Sequence, residues 1–308
     1  MGDVRRIAWA LVPIFPFFIC FILKYWSWRG FVRRRVSVVR GSYVIYLPKE
    51  WAVEVGVDEA REVFVVRDGR VLLVFPVSES SVELVVRDRA VAEKAFLAAY
   101  IAGFDRVVVR GSGEVLERVV SLARFYGAAV VEQGAGYVVL KIVDSEVDLA
   151  VLVRRMFNVF MNYMLDHVAY AEKPDVRLLE AVDDEVDKLR HVVERRCTKA
   201  PSRSCTQYVL IARYIERAAD HLVEYAKLSP NRSVARELYE AASRVAEAQG
   251  DVEKVLRALA SVKSLSTRLQ YSGEDVSILH VVRILDYLED VLEEFIDLSL
   301  LDAERVEL

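Results

Sequence analysis

Beyond Asp144 the apolar residues recur at three- and four-residue spacing, a pattern that suits stacked helices and no sheet. The runs cover residues 149–171, 178–195, 208–228, 234–259 and 278–300, with breaks at Pro174, Pro201, Pro230 and Gly273. Five or six long antiparallel helices are expected, forming an all-α bundle over residues 149–308. At 308 residues the chain has room for two or three domains, and the upstream pattern is different.

Residues 33–77 read as strands. Val36 and Val38 alternate with polar neighbours, and Val44 to Leu47 form an apolar run stopped by Pro48. A helical turn from Lys49 ends at Gly56, and two further strands meet at Asp68-Gly69, a type I′ hairpin signal because that turn needs positive φ at both central residues. A β unit of some 45 residues is too small to be comfortable alone, so an obligate dimer or a close contact is expected. Residues 78–148 alternate strand and helix, with Gly103 and Gly127 just past helix ends, and imply a small α/β linker domain.

Helix 208–228 laid over 278–298 aligns Arg213 with Arg283, Glu216 with Asp286 and Asp220 with Asp290, each 70 residues apart. Duplication of a three-helix unit explains this, with repeats at about 149–229 and 232–301. Asp183 and Asp187 precede the first pair, and Glu247 and Asp251 are their expected counterparts in the second repeat. Acids at i and i+4 share one helical face and repel, so a cation should offset them. Salt bridges to Arg213, Arg217, Lys188 or Arg190 would serve; so would a metal ion held by clustered oxygens from two facing helices. His191 and His221 lie close enough in sequence to complete such a site.

Lysine and arginine number 42 against 46 acids, so the net charge of −4 announces no nucleic-acid partner for the whole chain. The distribution says more: Arg33, Arg34, Arg35, Arg40 and Lys49 crowd the β unit and are the expected DNA contacts, doubled in a two-fold dimer, the other readings being that Arg33 to Arg35 flank a membrane segment or that the β unit serves only dimerisation. Residues 7–23 are uncharged and flanked by arginine and lysine; they suit a membrane anchor, a leader arising from the assigned start, or a core or signal segment. Cys197 and Cys205 flank a short loop, as two free thiols or as a loop-closing disulfide of the kind intracellular hyperthermophile proteins carry. There is no ligand-spaced Cys/His cluster, no Glu-x-x-His pair and no Gly-rich nucleotide loop, which argues against a zinc finger, a di-iron oxidase and a nucleotide-dependent enzyme.

The segment Arg213-Tyr-Ile-Glu216-Arg217-Ala-Ala-Asp220-His221 resembles the signature helix of the PhoU family, and Asp183-Asp-Glu-Val-Asp187 resembles its partner helix. The resemblance implies multinuclear metal clusters, of iron or zinc, or else magnesium or manganese, at Asp183, Asp187, Glu216 and Asp220. By repeat it implies a second set at Glu247, Asp251, Asp286 and Asp290. It also implies damping of phosphate uptake through a phosphate transporter or signalling components. Arg35-Val-Ser-Val-Val-Arg40-Gly-Ser-Tyr-Val-Ile-Tyr-Leu47-Pro48-Lys49 is similar to the SpoVT/AbrB swapped-hairpin family, whose dimers bind DNA. The combination looks like the archaeal AbrB-PhoU fusion proteins. The expectation is thus a multidomain α+β chain: residues 1–32 as leader or anchor, a swapped-hairpin β domain at 33–77, an α/β linker at 78–148, and a bundle of two three-helix repeats. The expected function is a cytoplasmic, homodimeric, non-enzymatic regulator that binds DNA; a membrane-tethered transporter adaptor without DNA binding is the alternative.

Overall fold

The computed structural model describes residues 34–77, 79–144, 147–228, 230–270 and 276–301; the apolar segment 7–23 and Arg33 lie outside them. The chain divides into two compact units, one ending at Arg61 and the other beginning at Glu62.

In the first unit β1 (Ser37–Val39) pairs antiparallel with β2 (Ser42–Val44), followed by the short helices α1 (Lys49–Glu54) and α2 (Val57–Ala60). The connecting pair Arg40-Gly41 has φ of 51° and 83°, the two positive values a two-residue I′ turn demands. None of residues 34–61 is buried, and Val38 and Tyr43 are 65% and 81% exposed. Among the described residues of this unit, the apolar side chains of these strands have no buried core to enter.

The second unit begins with another hairpin, β3 (Val63–Asp68) and β4 (Val71–Pro76). Asp68 pairs with Val71, so Gly69 and Arg70 occupy the turn centre and only Gly69 takes positive φ. The turn therefore sits one residue later than Asp68-Gly69 suggested and follows the II′ pattern of glycine first. Next comes a four-stranded sheet in the order β5 (Ser81–Val85), β6 (Arg106–Arg110), β8 (Tyr137–Ile142), β7 (Ala128–Gly134). The β5–β6 pair is parallel, its crossover being α3 (Arg89–Ile101), while α4 (Gly113–Phe125) joins β6 to β7. Phe96, Val107, Val119 and Leu140 are among the buried residues of its core.

The remainder is helical: α5 (Leu149–Val159), a π-helical turn (Phe160–Leu165), α6 (Asp166–Tyr170), α7 (Val176–Lys199), α8 (Cys205–Lys227), α9 (Arg232–Glu247), α10 (Val252–Gln270) and α11 (Val276–Leu300). Side chains cap the starts: Asp148 accepts from Ala150 N, Asp175 from Arg177 N and Asn231 from Ser233 N. One apolar core runs through all of them, with Ile215, Leu222 and Tyr225 of α8 buried against the same cluster as Leu285, Leu292 and Phe295 of α11. Those three pairs stand 70 residues apart, so the duplication seen in sequence is a duplication of packing: α5 to α8 form the first three-helix repeat and α9 to α11 the second.

One expected helix is two. The run 234–259 breaks at Ala248 to Asp251, where Gly250 takes φ of 82°. Apolar spacing continues across the break, which is why periodicity alone hides it.

Candidate functional site

The first repeat gathers its acids. Asp183 and Asp187 on α7 and Glu216 and Asp220 on α8 lie close enough for their charges to act on one another. Burial, then Asp220, Asp187 and Glu216, pushes the Asp183 carboxyl up to about 7, and burial foremost pushes Glu216 up to about 7. Asp220 is raised too, by burial and then Asp187. Asp183 Oδ1 is buried with no hydrogen-bond partner.

A cation stands among them already. The Arg190 guanidinium lies 3.4 Å from Asp187, 3.6 Å from Glu216 and 3.3 Å from the buried Glu194. Arg213 donates to Glu194 from the other side at 2.8 Å. Arg190 also bonds His191 Nε2 at 2.9 Å, and His191 Nδ1 bonds Tyr126 Oη at 2.8 Å. An arginine can only donate, so Nε2 accepts, and the proton of the neutral ring sits on Nδ1, which donates to Tyr126. Burial and then Arg190 hold the His191 imidazole down at about 4, in keeping with that neutral form. The acid cluster is thus connected by hydrogen bonds to the α/β domain.

A second clamp lies about one turn further along α7. Arg195, 2% exposed, donates to the carbonyls of Tyr100 (2.7 Å) and Phe104 (3.0 Å) and to Asp144 (2.6 Å). Lys199 reaches both Asp105 and Asp144. Gly103, at φ of 85°, lets the backbone come this close; a Cβ there would meet Lys199 Cγ at 3.0 Å.

The second repeat does not assemble the expected counterpart. Glu247 ends α9 while Asp251 starts the next helix, accepting from Lys254 N at 3.1 Å, so the two never share a helical face. Burial shows the true register. Leu179, Val186, Leu189 and Val193 of α7 match the buried Val255, Val262, Leu265 and Leu269 of α10, each 76 residues apart. In that frame Leu259 stands where Asp183 does and Lys263 where Asp187 does, and Lys263 bonds Glu289 of α11 at 2.9 Å. Asp286 pairs with Arg283 at 3.4 Å, and burial and then Glu293 raise Asp290. His221 bonds His280, not the acids, with Nδ1 atoms 3.0 Å apart.

Oxygen donors with an orphaned buried carboxylate atom fit a hard cation in chemistry. Among the described residues, though, no three acid, histidine or cysteine side chains are drawn together as a metal-holding group. Arg190 supplies positive charge at the place the sequence reserved for a metal or a salt bridge. Of the expected DNA contacts, Arg34 and Arg35 precede β1, Arg40 sits in the hairpin turn and Lys49 opens α1, all exposed.

Residues 153–229 match the model of the PhoU domain. Neither a curated protein nor a solved structure matches the chain. The matched stretch is the first repeat almost whole and contains all four gathered acids. PhoU domains are non-catalytic regulatory modules, and the reading of the chain as a regulator with no enzymatic activity rests on that match.

Proposed function

We propose that the chain regulates phosphate uptake, its bundle sensing state through metal ions at Asp183, Asp187, Glu216 and Asp220, and its β unit acting on DNA as a homodimer in the cytoplasm. The observation that carries this is the coincidence of the PhoU-domain match with the one half of the bundle whose acids converge. Asp183, Asp187, Glu216 and Asp220 would hold the metal, iron or zinc first, magnesium or manganese otherwise. A bound cation would supply the positive charge that lets all four ionise together. Arg190 competes for the same oxygens, so occupancy and the Arg190–His191–Tyr126 hydrogen bonds are linked. The second repeat is read as scaffold, because Leu259 and Lys263 replace the α7 acids, Lys263 pairs with Glu289 and Arg283 with Asp286.

Elemental analysis of full-length protein is expected to find metal that is lost in the Glu216→Ala, Asp220→Ala variant and kept in Asp286→Ala, Asp290→Ala. Equal stoichiometry in all three would remove the site from these residues.

The DNA reading draws on Arg33, Arg34, Arg35, Arg40 and Lys49, and dimerisation on the apolar strands left exposed in residues 34–61. Filter binding should show retention that falls steeply with salt, by a slope of roughly −0.9 per phosphate neutralised. A transporter-facing adaptor, tethered by the uncharged segment 7–23, is the second reading, and the absence of salt-dependent retention would favour it. Among the described residues no helix is long and apolar enough to cross a membrane.

A further inference from the structure

The loop between α7 and α8 is closed covalently. Cys197, in the last turn of α7, and Cys205, the first residue of α8, form a disulfide between Cα atoms 5.5 Å apart. Each is 9% exposed, and each has an exposed threonine beside it, Thr198 and Thr206. Ser202 aims two donors at Cys205 Sγ, its backbone N–H at 3.3 Å and its hydroxyl at 3.4 Å.

The closed loop is also a junction. The Arg203 backbone N–H donates to Asp68 Oδ2 at 2.5 Å, and its guanidinium donates to the Leu301 carbonyl at 2.5 Å. Asp68 is the last residue of β3, so one short loop meets the β3–β4 turn, the end of α11 and both helices it joins. The bridge limits the conformations open to residues 198–204 and so holds Arg203 where both bonds form.

We propose that Cys197–Cys205 is a reversible thiol–disulfide site for a dithiol reductant, and that its state decides whether the 198–204 loop holds the β3–β4 turn. A thiolate of the dithiol attacks Cys197 Sγ, and the bridge breaks with its electron pair leaving on Cys205 Sγ. That charge forms where the two Ser202 donors point, before Cys205 takes a proton. The second thiol of the reductant then attacks the mixed disulfide and releases Cys197, which is protonated in turn. The protein gains two electrons and two protons, and the dithiol leaves as its own disulfide. The reverse reaction, with a small-molecule disulfide as oxidant, closes the loop again.

The test uses full-length protein and is independent of metal or DNA. Alkylation under denaturing, non-reducing conditions followed by peptide mapping should leave Cys197 and Cys205 unlabelled, and dithiothreitol should expose both; Cys20 is read on its own peptide. Reduction should then speed amide exchange about tenfold or more in peptides covering 66–71 and 198–204, while the core of α8 stays protected. The Cys197→Ser, Cys205→Ser variant should exchange fast in either buffer. If that variant fails to fold, re-oxidising reduced wild type must restore slow exchange at both segments. Full labelling without reductant, or unchanged exchange at 66–71 after complete reduction, would overturn the proposal.

Discussion

Replacing Arg195 with methionine is expected to lower unfolding stability by about 3–5 kcal/mol, the cost typical of removing one partner from a buried charged network. The side chain is 3% exposed and serves four acceptors: the Tyr100 and Phe104 carbonyls, Asp144, and more distantly Asp105 at 3.9 Å. Methionine fills much of the volume, so the loss is one of satisfaction and not of packing. The Tyr100 carbonyl would keep only its bond from Gly103 N–H, the half-buried Phe104 carbonyl would lose its Arg195 donor, and Asp144 would lose its closest cation, which weakens the hold of the α/β domain on α7. Urea denaturation should therefore show an early transition for residues 79–144 ahead of the bundle, visible as early proteolysis there. Lys199→Met, at a side chain 28% exposed, should cost far less because water can replace it. Equal and small effects at both positions would mean the clamp does not hold the domains together.

The second large effect is a fall in the stability of metal-free protein as pH rises from about 4 to about 7. Asp183 and Glu216 ionise near 7 in the folded chain, against 3.8 and 4.5 for the free groups, chiefly through burial. Between those limits these two carboxyls bind more protons in the folded state than in the unfolded one and outweigh the single proton that His191, held down at about 4, gives up on folding, so unfolding stability declines with pH and levels off once both have ionised. At the acid end the sign reverses. Asp105 and Asp144 are held below the usual aspartate range by Lys199 and Arg195, acting against burial, so their contribution is lost as pH falls through their folded values. In the presence of chelator, thermal melts should give a lower midpoint at pH 8 than at pH 5. Asp183→Asn with Glu216→Gln should raise the pH 8 midpoint by roughly 2–4 °C, the shift that about 1 kcal/mol makes at this size. Coincident wild-type midpoints at the two pH values would show that the carboxylates are not crowded.

Much of this architecture is legible in the residues because local rules agree with the tertiary outcome. Gly103 and Gly127 end helices with positive φ, as their places after apolar runs imply, and the 70-residue repeat of α8 in α11 survives as matched packing. The failures have physical causes too. Glu247 and Asp251 have the right chemistry and spacing, but Gly250 breaks the helix between them and the backbone N–H of Lys254 claims Asp251 as a cap. The real counterpart of α7 is found only by asking which residues are buried, since Leu259 and Lys263 carry no trace of the acids they stand in for. Arg190, three residues after Asp187, is visible in sequence as a salt-bridge partner; that it bonds His191, and His191 Tyr126, depends on a domain packing that no local pattern encodes.

Lys263 gives the bundle a built-in asymmetry. An ammonium in the place of Asp187 leaves no room for a second cation there, whereas α7 and α8, with only Arg190 among four acids, keep the charge to hold the proposed ion. If that proposed ion binds, its removal should loosen one pair of rods while the twin stays put, and a molecule built from two copies of one motif would respond to its surroundings on one side only.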